Sequence, residues 1–340
     1  MLTKEHLLAA VERQIISREQ ALELARLAAD QPVDSEEQVV FARGFNDIFV
    51  AIGAVLIVVA SFWAATLTGN LIVGPILCAA IFWAMTEFLV TGRGMLAPGR
   101  VFCVAFALST GMLLAALFGE PLRSFSNIAS HLGWLFAVGA LAGAGGFFIR
   151  FRMPFALFLI GALVPLSLYL LLVAVSPGLA GPWTQRTVAL IGGIGAFAVA
   201  MGYDFADRER KGRASQCAFW LHLIAAPLLV HTVLGSMIGG YRTFGGGTAL
   251  AILAITVVVA LVALAIDRRA MLIASLIYAG IAIGYAISQA GVSAAYIGLV
   301  TIAILGGAVT LLGAGWLPMR ARLLAFLPHG LVARLPKIAQ

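Results

Sequence analysis

Charge is what this sequence has least of. Asp, Glu, Lys and Arg make up 11% of the 340 residues and apolar side chains 62%, whereas soluble domains average roughly 25% charged and 45–50% apolar. A chain so poor in polar side chains cannot cover a water-facing surface, so the composition excludes a soluble globular protein and makes lipid the solvent for most of it. Cysteine is scarce too. Cys78, Cys103 and Cys217 form an odd, widely spaced trio with no CxxC, which argues against a disulfide framework or thiolate metal centre and leaves three small side chains for a packed interior. No Walker loop, HExxH, GxSxG elbow or dinucleotide fingerprint occurs, so the machinery of soluble-type enzymes is not visible. The net charge of +7 is dispersed along the chain. The basic residues sit at the ends of apolar runs rather than in one patch, and no nucleic-acid partner is expected.

What the sequence has in abundance is long apolar runs. Ten are of a length to cross a hydrocarbon core of ~30 Å: about 45–67, 71–91, 101–118, 129–149, 153–175, 184–203, 218–237, 248–266, 270–289 and 293–314. The expected fold is an all-α polytopic bundle of about ten transmembrane helices, in which every backbone group is satisfied within its own helix.

Basic residues give that bundle a direction. Of 22 Lys and Arg residues, only Arg123, Arg186 and Arg242 fall outside one alternate set of gaps. The positive-inside rule assigns that set to the cytoplasm, with both termini there.

The first 44 residues lack the apolar core of a cleavable signal. Leu7, Leu8, Val11 and Ile15, then Leu22, Leu24 and Leu27, recur at helical spacing. Ser17 and Gln20 make an S-x-x-Q capping box, so an amphipathic hairpin is expected, with helices near 4–14 and 18–29. Pro32, Asp34, Glu36 and Glu37 punctuate it. The tail, 315–340, is basic and broken by Pro318, Pro328 and Pro336. Leu323, Leu324, Phe326 and Leu327 beside Arg320 and Arg322 predict a short helix in the membrane interface. The domain plan is therefore a hairpin and linker over 1–44, ten spans over 45–314 and an interfacial tail.

Glycine is plentiful at 37 residues. Gly139/Gly143, Gly235/Gly239 and Gly280/Gly284 are GxxxG pairs that predict close helix packing within the chain. Gly192-Gly193-Ile194-Gly195, Pro165 and Pro227 are candidates to loosen or kink their helices.

Polar residues at membrane depth carry the candidate chemistry, because a charge near the bilayer centre costs ~2.5–3.5 kcal/mol or more unless paired or wet. Glu87 and His222 lie at similar depth from the basic side, with Asn46 and Asp47 at the start of the first run. Together they could form one polar cluster able to bind a proton or cation, or simply snorkel to water. His231 sits nine residues after His222, which puts the two imidazoles on nearly opposite helix faces and rules out one shared metal. His231 is placed instead to approach His131 or Arg186. Haem held by paired histidines leaves His222 without a mate and no CxxCH occurs, so no cofactor is expected.

The runs Ala218-Phe219-Trp220-Leu221-His222-Leu223-Ile224-Ala225-Ala226-Pro227, Glu12-Arg13-Gln14-Ile15-Ile16-Ser17-Arg18-Glu19-Gln20-Ala21 and Gly315-Trp316-Leu317-Pro318-Met319-Arg320 resemble a set of uncharacterised proteobacterial inner-membrane proteins with a domain of unknown function. The resemblance implies a bacterial inner-membrane location and brings no catalytic residues. Three functional classes stay open. The first is a secondary transporter for a small solute or ion, for which five spans plus five allow inverted repeats. The second is a sensor, assembly factor or scaffold whose hairpin, residues 4–29, docks a protein partner in the cytoplasm. The third and weaker is a lipid-modifying enzyme using Asp47, Glu87 or His222 as acid or base.

Overall fold

The computed structural model describes residues 10–11, 13–23, 45–118, 133–207, 210, 212–238, 244–332 and 335. The chain divides into two units, 1–38 with 337–340, and 39–336. In the first, the expected capping box is present: the Ser17 amide donates to Gln20 Oε1 at 2.9 Å and the Gln20 amide to Ser17 Oγ at 3.1 Å. Two of the orphan amides at this helix start are thereby satisfied, and residues 18–23 are helical. Pro32 and the acidic residues after it lie outside the described residues.

Among its described residues, the second unit contains ten helices long and apolar enough to cross a membrane. They are α1 (Phe45–Leu67), α2 (Val73–Thr91), α3 (Leu96–Leu117), α4 (Gly133–Phe151), α5 (Phe155–Val175), α6 (Pro182–Ala206), α7 (Arg213–Met237), α8 (Gly246–Ile266), α9 (Ala270–Gln289) and α10 (Ala294–Ala314). An eleventh, α11 (Trp316–Ala325), follows α10 after the single residue Gly315. Among the described residues there is no strand. The chain is an all-α polytopic integral membrane protein.

Eight of the ten spans begin within a few residues of the apolar runs; α3 and α7 do not. They start at Leu96 and Arg213 rather than at 101 and 218, because α3 takes in Leu96-Ala97-Pro98-Gly99-Arg100 and α7 takes in Arg213-Ala-Ser-Gln, stretches that interrupt the apolar run. Backbone hydrogen bonding continues a helix beyond the point where hydropathy stops reporting it.

Polar contacts tie alternate turns together at one end. Asp47 at the start of α1 reaches the start of α3, Glu87 near the end of α2 reaches Arg150 at the end of α4, and Arg210 before α7 and Trp316 after α10 both reach Asp267 after α8. This is the end where the basic residues concentrate, and we call it the basic end.

Within the first half, α3 is the hub, packed by α1, α2, α4 and α5; in the second, α7 packs on α6 and α9, and α9 also holds α8 and α10. The two halves are thus not packed alike, and α5, against α6 and α7, is the main seam between them. Glycines fit helices together as expected: a Cβ on Gly139 would lie 2.7 Å from the Thr110 carbonyl oxygen, and one on Gly280 3.2 Å from Leu305. Two glycines of α6, Gly192 and Gly193, serve packing, while Gly195 has nothing within 4 Å of its position for a Cβ. Gly192 receives the Pro165 ring of α5, Gly193 receives Leu228 and Leu229 of α7, and α6 runs unbroken from Pro182 to Ala206. Helices α5 and α7 likewise continue through Pro165 and Pro227. The three cysteines are free and buried.

Candidate functional site

The basic ends of α6 and α7 build a fully buried polar group. Asp207, at the end of α6, turns its carboxylate onto the first amides of α7, accepting from Gly212 at 2.7 Å and Ser215 at 3.3 Å. An acid at this position satisfies orphan amides and complements the helix dipole. It also fixes α7 beside α6. One turn earlier on α6, Asp204 faces the interior with no exposure, and His222 of α7 is equally buried. His222 Nε2 lies 2.8 Å from Asp204 Oδ2, and the Phe197 ring packs edge-on against the imidazole at 5.2 Å. Against a carboxylate acceptor, Nε2 is the nitrogen that carries the proton.

The third member comes from the turn between α8 and α9. Arg268, fully buried, donates from Nη2 to Asp204 Oδ1 and from Nε to Oδ2 at 3.4 Å, a side-on fork on one carboxylate. Its Nη2 also reaches the Ser215 carbonyl at 3.2 Å. Asp204 is therefore held between the guanidinium of Arg268 and the imidazole of His222. It is a buried carboxylate shared by an imidazole and a guanidinium.

The residue before Arg268 anchors a second network. Asp267 takes a left-handed backbone (φ 59°) that ends α8. Its carboxylate accepts from Trp316 Nε1 at 2.6 Å and pairs with Arg210 at 3.0 Å and Arg320 at 3.7 Å. Arg210 also donates to the carbonyls of Asp267 (3.0 Å) and Ile266 (2.7 Å), capping the C-terminal end of α8. Arg320 is wholly buried on α11. Burial lowers its guanidinium from the usual arginine range, and Asp267 draws it part of the way back.

Of the residues expected to cluster, each is found with different company. Asp47 is buried and accepts from the Ala97 amide, 3.3 Å from both carboxylate oxygens, so it caps α3 from a neighbouring helix. Glu87 pairs with Arg150 at 2.8 Å, both side chains partly exposed. The expected Glu87–His222 pairing is replaced by Glu87–Arg150 and His222–Asp204, because α2 packs on α1 and α3 while α7 packs on α5, α6 and α9. Equal depth does not make helices neighbours. His231 hydrogen-bonds Tyr278 Oη of α9 rather than approaching Arg186. Arg186 lies over the Trp183 ring one turn away on its own helix, 5.8 Å from the ring centre. His131 lies outside the described residues.

Sequence reasoning missed Asp204, Arg268, Asp267 and Arg320. Its sixth run stops at 203, one residue short of Asp204; Arg268 counts there only as a marker of orientation, and Arg320 as part of an interfacial helix, whereas it is wholly buried. The available signal was an acid beside each short basic turn: Asp204 and Asp207 before Arg208, and Asp267 before Arg268. Among the described residues, no group of three His, Cys, Asp or Glu side chains could hold a metal ion. No family model, curated protein or solved structure matches the chain.

Proposed function

We propose that this integral membrane protein is a proton-coupled permease for a small solute in a bacterial inner membrane, with both termini in the cytoplasm and Asp204–His222 as its proton site. One observation carries the reading: a carboxylate and an imidazole at 0% exposure, 2.8 Å apart on adjacent spans. An ionisable pair inside a membrane bundle is costly to keep and marks a proton or ion path by default. Arg268 supplies what such a site needs for release. When His222 is neutral the guanidinium balances Asp204, and when His222 is charged the two cations compete for one carboxylate, which favours giving the proton up. The reading does not depend on inverted repeats, since the two halves pack differently.

The test is reconstitution into sealed liposomes with an imposed pH gradient, recording solute-evoked proton movement for a panel of amino acids, sugars, nucleosides and organic cations. We expect a solute in the panel to evoke proton flux that His222→Gln and Asp204→Asn abolish while the variants retain the helical circular dichroism of the parent. Flux that persists in both folded variants overturns the assignment. A scaffold is the second reading, supported by Ile15 and Leu22, which stand 70% and 60% exposed around the capping box. Deleting residues 1–40 separates the two in the same assay: a permease keeps its flux, whereas a scaffold has none to lose and sheds a co-purifying partner.

A further inference from the structure

Asp267 and Arg268 are consecutive, yet they serve different networks. Arg268 reaches into the membrane bundle to Asp204 and Ser215, while Asp267 is held from outside the spans by Trp316 and Arg320 of α11. Trp316, Arg320 and Leu324 recur every fourth residue and are all buried. Trp316 and Leu324 pack with Ala226 of α7, Ala263, Leu264 and Ile266 of α8 and Met271 of α9. Helix α11 therefore closes over the turn that carries Arg268 and keeps water from it.

The adjoining face of α11, continued onto its C-cap residue Phe326, is different in kind. Met319 and Phe326 are 42% and 88% exposed, and exposed Arg322 lies between them at helical spacing. Nearby Arg269, also exposed, sits over the Trp316 ring at 5.3 Å. Only Gly315 separates α11 from the apolar span α10, so this face lies beside the end of that span. Apolar side chains flanking an arginine at that level match the boundary between acyl chains and phosphate headgroups.

We propose that the Met319–Arg322–Phe326 face of α11 binds the anionic headgroup layer of the membrane, and that this binding holds α11 closed over the Asp267–Arg268 turn, so that lipid controls access to the Asp204–His222 site. The regulation, though not the lipid contact, rests on the reading of that pair as the working site. In a membrane with anionic lipid, α11 is pinned, Asp267 keeps its Trp316 and Arg320 bonds, and Arg268 stays on Asp204. Without it, α11 lifts, water enters the turn and Arg268 is released from the carboxylate.

The experiment places a reporter within the network. In a Ser215→Cys protein in nanodiscs, alkylation by N-ethylmaleimide is followed residue by residue by mass spectrometry. The native Cys78, Cys103 and Cys217, all buried, report any general unfolding. In phosphatidylcholine discs containing phosphatidylglycerol, alkylation at position 215 is expected to be slow. It should rise about tenfold in discs of phosphatidylcholine alone, and equally when Arg322→Glu and Phe326→Asp are introduced with phosphatidylglycerol present. The native cysteines should stay unmodified throughout. A rate at position 215 that is the same in both lipids overturns the proposal, as does a rise shared by the native cysteines. Alkylation needs no solute, so the two readings fail separately. A lipid-dependent rate in a protein without proton flux removes the permease and leaves the latch, whereas intact flux with a lipid-independent rate removes the latch alone.

Discussion

The two most extensive helix contacts in the protein, α3 with α4 and α6 with α7, are made from opposite materials. The first is a joint of small residues: Ala107, Thr110 and Gly111 of α3 meet Gly139, Ala140, Gly143 and Ala144 of α4, and backbones approach until no further atom fits. The second adds an ionic core, Asp204 against His222, closed by Arg268. Lipid tails are as apolar as leucine, so neither joint is driven by hydrophobic transfer; one relies on dispersion and the other on desolvated charge. They differ in what they permit. A joint of glycines has one arrangement, whereas a carboxylate shared between an imidazole and a guanidinium has several that differ by where a proton resides. This difference is why we place the working part of the molecule in the second half.

The largest expected effect comes from breaking the ionic joint. Arg268→Ala leaves Asp204 buried without its permanent counter-charge, which costs about 3–5 kcal/mol by analogy with broken buried pairs. The check is the midpoint of SDS-induced unfolding. Replacing the three polar groups together, Asp204→Leu, His222→Leu and Arg268→Met, should recover most of that loss, since apolar side chains need no desolvation and leave no buried donor unpaired. If the single variant unfolds within about 1 kcal/mol of the parent, as exposed pairs do, the joint is wet and the comparison collapses.

A smaller effect is expected in the other joint. A Cβ on Gly139 would stand 2.7 Å from the Thr110 carbonyl and 3.0 Å from the Gly111 Cα, both backbone atoms that cannot swing aside. Gly139→Ala should therefore force α3 and α4 apart and cost about 1–3 kcal/mol, the usual range for overpacking. Gly146 on the same helix has nothing within 4 Å of its position for a Cβ. Gly146→Ala should be neutral or stabilise by up to about 1 kcal/mol through helix propensity. Equal unfolding midpoints for the two variants would show that the small-residue joint is not tight.

The spans were legible because hydrocarbon thickness writes itself directly into run length, and the capping box because Ser17 and Gln20 satisfy each other's amides locally. Close packing at Gly139 and Gly280 was legible for the same reason, since GxxxG describes one face of one helix. The site was only half legible. His222 stands out as a histidine inside an apolar run, but Asp204 falls at the ragged end of α6 where hydropathy gives no boundary. Arg268 looks like any other arginine in a basic turn. Depth can be read from a single run, whereas adjacency depends on how the helices pack on one another, and that information is spread over contacts far apart in the chain. Glu87 and His222 share a depth but belong to different neighbourhoods.

Glu87 therefore gives the smallest and most discriminating test. Its side chain is 32% exposed and that of its partner Arg150 50%, so water screens the pair and solvates each charge when the other is removed. Exposed pairs of this kind contribute about 0–1 kcal/mol, and Glu87→Gln should shift the SDS midpoint by no more than that. The same variant should leave solute-evoked proton flux unchanged, because the carboxylate it removes has no contact with Asp204 or His222 and its charge is already balanced by Arg150 near water. Flux abolished in Glu87→Gln would move the proton path into the first half, to a residue that opens a five-residue π-helical turn, Glu87–Thr91. Such turns recur at functional sites, and in that outcome the buried Asp204–His222–Arg268 group would be reassigned as the rigid part of the molecule.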